Sequence, residues 1–211
     1  MLELLVESSQ TVEVKKDKKS GDFVFEGVFA IAKKKNLNGR LYPYKVMDKA
    51  IKEYNENFIN KKRGLGSLDH EEDASINLKN VAFIIDKPLT LDEESGEVRG
   101  KGRILKETPL GKIAYELMKE GITVGISSRG LGEVTERKEF DEELNEEVDI
   151  LEVSDYSLSC FDLVSEPSIG VFVSNYKQEE KVEKKEENKI EEKKIFSSED
   201  LKKLNEILFE E

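Results

Sequence analysis

The chain has 211 residues, of which 38% are charged and 37% hydrophobic, with a formal net charge of -12; that length suits one domain with a core plus appendages, and that polarity is too high for every residue to be packed. Affinity for nucleic acid comes from lysine and arginine displacing counterions from phosphates, so this charge excludes broad phosphate-backbone binding. A single cysteine, Cys160, rules out an internal disulfide framework, and neither a bilayer-length apolar run nor a signal-like start is present. The expectation is a soluble protein, cytoplasmic at synthesis and without a nucleic-acid or membrane partner.

In chain order, residues 1–22 read as an N-terminal segment ahead of a body spanning 23–176. Phe23 to Ala32, Val81 to Ile85 and Val98 to Leu105 are rich in aromatic and branched residues and predict strands. A helix follows Pro43, with Val46, Ala50, Ile51, Tyr54 and Phe58 on one face; proline suits a first turn, where its missing amide has no helical acceptor. Gly64 to His70 reads as a polar, glycine-containing loop. A second helix opens at Thr108-Pro109, carries Ile113, Leu117 and Met118, and stops at Gly121. A strand Ile122 to Ser128, a charged hairpin region Glu133 to Glu147 and a long strand region Ile150 to Val164 complete the body.

Residues 177–195 contain seven lysines and seven glutamates, a charge-balanced stretch that cannot build a core and reads as a solvated linker. Residues 196–211 read as a short amphipathic helix with Leu201, Leu204, Ile207 and Leu208 on one side and a capping box from Ser197 and Asp200. Many strands with two interior helices predict an α+β fold, mainly an antiparallel β-barrel surrounded by helices.

His70 is the only histidine, so any proton-transfer chemistry near neutral pH that needs an imidazole falls to it. In the Ile122 to Ser128 strand, side chains alternate, placing Ser127 opposite the apolar stripe of Ile122, Val124 and Ile126, beside Gly125, which leaves room for another chain to approach the hydroxyl. Taken alone, Ser-Ser-Arg-Gly could equally be a strand end and turn. Asp162 lies on a strand face with Leu158, Cys160 and Val164, and a carboxylate there needs a partner. Orienting an imidazole is one such role; an ion pair with Arg99 or Arg103 is the other. Cys160 reads as a small buried hydrophobe rather than a nucleophile. The acidic run Asp69, Glu71, Glu72 and Asp73 beside His70 lacks further nitrogen or sulfur donors, so it reads as a solvated loop and not a transition-metal site, with a hard cation bound by oxygens left open; no cofactor is expected.

Four ordered blocks resemble the prohead core proteases of large contractile-tailed bacteriophages: residues Asn36 to Pro43, Gly66 to His70, Gly125 to Gly132 and Asp162 to Ser168. The resemblance implies a herpesvirus assembly protease-like fold, with His70 as general base and Ser127 as nucleophile. Herpesvirus relatives use a second histidine as third member, which this chain lacks, so the role falls to Asp162, with Glu152, Asp155 or a dyad as alternatives. Backbone amides around Arg129 and Gly130 would serve the oxyanion, or Arg129 would hold substrate or a backbone carbonyl. The implied function is a serine endopeptidase of the assembling prohead in the host cytoplasm, acting on procapsid scaffold and capsid proteins. The family cuts after glutamate with leucine or isoleucine two residues earlier, which makes Leu5-Val6-Glu7 before Ser8 a self-cleavage site, with Ile190-Glu191-Glu192 and Leu208-Phe209-Glu210 as weaker ones. Residues before Phe23 and after Tyr176 would then hold the precursor quiet or attach it to the scaffold. Herpesvirus relatives are controlled by dimerisation, which leaves homo-oligomerisation open. The alternatives are a non-enzymatic procapsid scaffold protein and an esterase, the latter disfavoured because Arg129 stands where a Gly-x-Ser-x-Gly elbow needs glycine.

Overall fold

The computed structural model describes residues 2–8, 12–18, 20–122, 124–141 and 145–165, all within the first of two compact units, residues 1–177. The expected linker over 177–195 and helix over 196–211, with the two weaker cleavage sites, lie outside the described residues. Twelve elements position the site: β1 (Glu3–Ser8), β2 (Val12–Lys16), β3 (Phe23–Ile31), β4 (Arg40–Leu41), α1 (Tyr44–Tyr54), β5 (Leu65–Leu68), β6 (Val81–Ile85), β7 (Thr90–Leu91), β8 (Glu97–Ile104), α2 (Pro109–Lys119), β9 (Gly125–Asp141) and β10 (Glu146–Val164). No described helix is long and apolar enough to cross a membrane.

All the strands join one sheet in the order β1-β9-β10-β5-β6-β8-β3-β2, with β4 paired to β10 and β7 to β8. The expected barrel is not closed: the terminal strands β1 and β2 do not pair with each other among the described residues. Residues 9–11 alone separate them, so the ends of β1 and β2 joined there are no more than about 15 Å apart along a fully extended chain. The sheet is therefore curled but open. Residues 1–22, expected to stand outside the body, supply both of its edges.

The core explains the curl. Phe83 on β6 lies directly across from Gly66 on β5, and Phe25 on β3 from Gly102 on β8. Each aromatic ring covers its glycine so closely that a Cβ would come within 2.0 Å of Phe83 or 2.3 Å of Phe25. Phe25 meets Phe83 edge-on at 5.1 Å, and Phe29 meets Phe161 of β10 at 5.3 Å. Helix α1 packs on β10, bringing Tyr54 edge-on to Phe161 at 5.9 Å. Edge-to-face geometry places the positive ring edge on the negative face of its neighbour.

The helices start where the sequence places them. Pro43 precedes α1, and Thr108 caps α2 by accepting a hydrogen bond from the Gly111 amide at 3.1 Å. In α2, however, the buried side is Gly111, Ala114 and Met118, and Ile113 is 49% exposed. This i, i+3, i+7 row, with small residues at its first two positions, faces β6 and turns Ile113 outward. The predicted Ile122 strand begins only at Gly125, and the charged hairpin proves to be continuous ladder, β9 against β10, with bulges at Val153/Asp155 and Leu158/Cys160. The Gly64 to His70 loop is in part strand β5, held in parallel by β10 and antiparallel by β6.

Gly66→Ala is expected to lower stability by about 1–3 kcal/mol through overpacking against the fully buried Phe83 ring, read as a lower urea midpoint with an unchanged slope. An unchanged midpoint would show that the ring can move aside.

Candidate active site

Three adjacent strands line up the polar groups. Asp162 on β10 has Ser127 of β9 as its ladder partner on one side and Ser67 of β5 on the other. Residues directly opposite in a ladder project from the same face, so the three side chains form a row while Phe161 and Leu163 serve the other face. All three of the row are fully buried.

His70 reaches the row through a turn. Asp69 adopts a left-handed φ of 70°, a conformation aspartate tolerates better than most residues. Its amide donates to the Leu163 carbonyl at 2.7 Å, and its side chain accepts from the His70 amide at 2.8 Å. The imidazole Nδ1 thereby lies 2.9 Å from Asp162 Oδ2, with the ring 31% exposed. A carboxylate only accepts, so Nδ1 carries the proton of this hydrogen bond, and neutral His70 keeps Nε2 as an acceptor.

Asp162 is also gripped by Arg129. Nε donates to Oδ2 at 2.8 Å and Nη2 to Oδ1 at 3.0 Å, a two-pronged pair within the buried core. The Ser67 hydroxyl donates to Oδ1 at 2.5 Å. Burial would raise the carboxyl pKa, but the hydrogen bonds from His70, Arg129 and Ser67, with the Arg129 charge, outweigh it and hold Asp162 below its ordinary value. Arg129 Nη1 donates to the backbone carbonyls of Asp73 and Ser75, tying the segment after His70 to the sheet. In that segment Glu71 accepts from the Asn77 amide at 3.2 Å, so part of the acidic run braces its own loop.

Several expectations are corrected by this arrangement. The arginine partner of Asp162 is Arg129, not Arg99 or Arg103, which lie on β8 with β5 and β6 between them and β10. Of the uses expected for the Arg129 side chain, the structure shows the hold on backbone carbonyls, those of Asp73 and Ser75; its guanidinium runs inward because the alternation that faces Ser127 to the row faces Arg129 there too. Glu152 pairs with Arg137 at 2.5 Å and Asp155 with Lys49 at 3.2 Å, so neither is the carboxylate on His70. Cys160 is buried, and burial pushes its thiol pKa up, away from thiolate chemistry.

Ser127 has a partner that the row does not supply. Its hydroxyl donates to the backbone carbonyl of Glu7. Strand β1 lies antiparallel on β9, with Leu5 opposite Gly130, Glu7 opposite Ser128 and Ser8 opposite Ser127. The Glu7 carboxylate is itself buried, 4% exposed, among Asn36, Asn38, Arg40 and Tyr42. Sequence reasoning assigned no role to these four residues or to Ser67, although all lie in the blocks it singled out. The available signal was a cluster of side-chain donors without an acidic partner nearby in sequence.

A buried aspartate that holds an imidazole and has a serine as its ladder partner is similar to the arrangements serine hydrolases use. A family model described as prohead core protein serine protease matches residues 2–181, and the chain belongs to that family. It is 34% identical over 116 residues to the prohead core protein protease of Enterobacteria phage T4, covering 54% of this chain. The match spans about half of that relative, 53% of its length. The structure of the bacteriophage T4 capsid assembly protease, gp21, superposes with a TM-score of 0.65 at 27% identity, covering 79% of this chain and 99% of that one.

Because its folded carboxyl pKa is depressed, Asp162 contributes stability that is present above the ordinary carboxylate value and lost as pH falls through the folded one. Arg129→Met is therefore expected to cost about 3–5 kcal/mol at neutral pH by stranding a buried charge, and less in acid, once Asp162 is protonated. Urea titrations at a series of pH values check this; an offset independent of pH would contradict it.

Proposed function

We propose that this protein is a serine endopeptidase of prohead maturation that cuts procapsid scaffold and capsid proteins, and itself, after glutamate in Leu/Ile-x-Glu sequences. The observation that carries the reading is the Ser127 hydroxyl against the carbonyl of the Glu7–Ser8 peptide bond, with Asp162, the ladder partner of Ser127, holding His70. His70 is the general base, Ser127 the nucleophile and Asp162 the positioning carboxylate.

In the first half-reaction the Ser127 oxygen bonds to the glutamyl carbonyl carbon as its proton passes to His70 Nε2. Asp162 holds Nδ1 and offsets the imidazolium charge, and its own proton affinity is too low for it to take the proton. The tetrahedral intermediate collapses, the C–N bond breaks, and His70 gives its proton to the leaving amine. Water repeats the sequence to release the glutamyl carboxylate. Backbone amides of the Arg129-Gly130 stretch are the proposed oxyanion donors. The reading includes kinship with the herpesvirus assembly proteases, with Asp162 where those have a second histidine, and action inside the assembling prohead in the host cytoplasm.

Strand β1 gives the pro-segment a specific role. It fills the place of a substrate, so residues 1–7 keep the cleft closed until Glu7–Ser8 is cut. Intact-mass analysis after incubation at neutral pH is expected to show loss of residues 1–7 from the wild-type chain and none from Ser127→Ala. Equal loss from both would remove Ser127 as the nucleophile.

His70→Ala and Asp162→Asn are expected to slow the same cleavage, by roughly 10⁴-fold or more for the aspartate change if it only misorients the imidazole. A cleavage rate unaffected by Asp162→Asn in a folded chain would leave a Ser127–His70 dyad.

A further inference from the structure

We infer that Asn36, Asn38, Arg40 and Tyr42 form the pocket that reads the glutamate before the scissile bond, and that the surface over Gly132 receives the leucine two residues earlier. The inference rests on the protease reading above and adds the residues that set its specificity.

The pocket is built by one turn. Gly39 at φ +75° lets the chain reverse, Asn36 Oδ1 accepts from the Asn38 and Arg40 amides at 2.9 and 3.0 Å, and the Gly39 carbonyl accepts from the Leu151 amide of β10 at 3.0 Å. Strand β4 continues the attachment, with Arg40 and Leu41 paired to Leu151 and Glu152. The turn is thereby fixed to the strand that carries Asp162.

Its donors divide evenly over the Glu7 carboxylate. Oε2 accepts from Asn36 Nδ2 at 2.5 Å and Asn38 Nδ2 at 2.8 Å; Oε1 accepts from Arg40 Nη1 at 2.5 Å and the Tyr42 hydroxyl at 3.1 Å. Asn38 and Arg40 also donate to the Val6 carbonyl, at 3.2 and 3.4 Å, and so hold the backbone of the bound strand. Every side-chain contact to the carboxylate is a donor and one carries positive charge. Glutamine would set its own NH2 against donors, and aspartate is one methylene too short to reach them.

The rest of the rule follows from strand geometry. A peptide added to the β9 edge alternates its side chains, so the residue two before Glu7 points inward with it. Leu5 is fully buried, and a Cβ on Gly132 would come within 2.5 Å of its Cδ1. Leu4 and Val6, on the other side of the strand, are only partly buried. The middle position is therefore tolerant, and the recognised pattern is Leu-x-Glu. A merely structural anchor for β1 would not require that its glutamyl carbonyl meet Ser127.

The test uses the full-length chain, after incubation at neutral pH has let it cut Glu7–Ser8, and two peptides in trans: residues 2–10 of this sequence, and the same peptide with glutamine at position 7. Asn38→Asp is the first variant, since Asn38 is exposed and the change is nearly isosteric, so folding is not at stake. It replaces a donor to Oε2 with a negative charge. The wild type is expected to favour the glutamate peptide by roughly a hundredfold in kcat/KM, and Asn38→Asp to remove or invert that preference. Arg40→Gln is expected to lower it as well, and Arg40→Lys to restore part of it. An unchanged ratio in Asn38→Asp and Arg40→Gln, with both peptides still cut at position 7, overturns the pocket and leaves the protease reading intact. A folded wild-type chain that cuts neither peptide and does not process itself overturns the protease reading and the pocket with it.

Discussion

The buried ion pair between Asp162 and Arg129 is the interaction on which the site depends. It joins three strands and the loop that follows His70, because one guanidinium reaches both carboxylate oxygens and the carbonyls of Asp73 and Ser75. The pair takes two charges out of water, so its net contribution to stability is small against a hydrophobic alternative. What it supplies is position. With His70 and Ser67 added, each Asp162 oxygen has two close donors, leaving the imidazole a single orientation in which it can be held.

That constraint also separates two roles that the sequence had set against each other. A carboxylate among apolar neighbours was expected to orient an imidazole or to form a structural ion pair, and Asp162 does both. The arginine fixes the carboxylate, and the carboxylate fixes the histidine. The side chain of Arg129, two residues along the strand from Ser127, thus bears on His70 only through Asp162.

Strand β1 joins the fold to its reaction. Unpaired sheet edges are a liability in most proteins, and here β1 covers the edge of β9, the place the proposed function gives to a substrate strand. The chain meets its own site with the sequence it is proposed to cut, and the main-chain ladder is blind to side chains. On the proposed reading, selectivity comes from the two inward positions, Leu5 and Glu7, and from what lies beneath them: a glycine under one and four hydrogen-bond donors around the other.

The sequence by itself determined the helix starts at Pro43 and Thr108, the strands with strong aromatic and branched composition, and the facing of Ser127, because each follows from local backbone preference or period-two alternation. Family resemblance added the expectation that Asp162 orients His70, and the two meet at 2.9 Å. It did not show β5, whose Gly66 and Ser67 have little strand propensity and are held by β6 and β10 on either side, nor that β1 and β2 would form the two edges of the sheet. Tertiary structure alone decided that Arg129, and not Arg99 or Arg103, meets Asp162, and that Asn36, Asn38, Arg40 and Tyr42 surround Glu7. Those contacts join residues about 30 or more positions apart, and which charges meet across such distances is set by strand order and register, which no local pattern encodes.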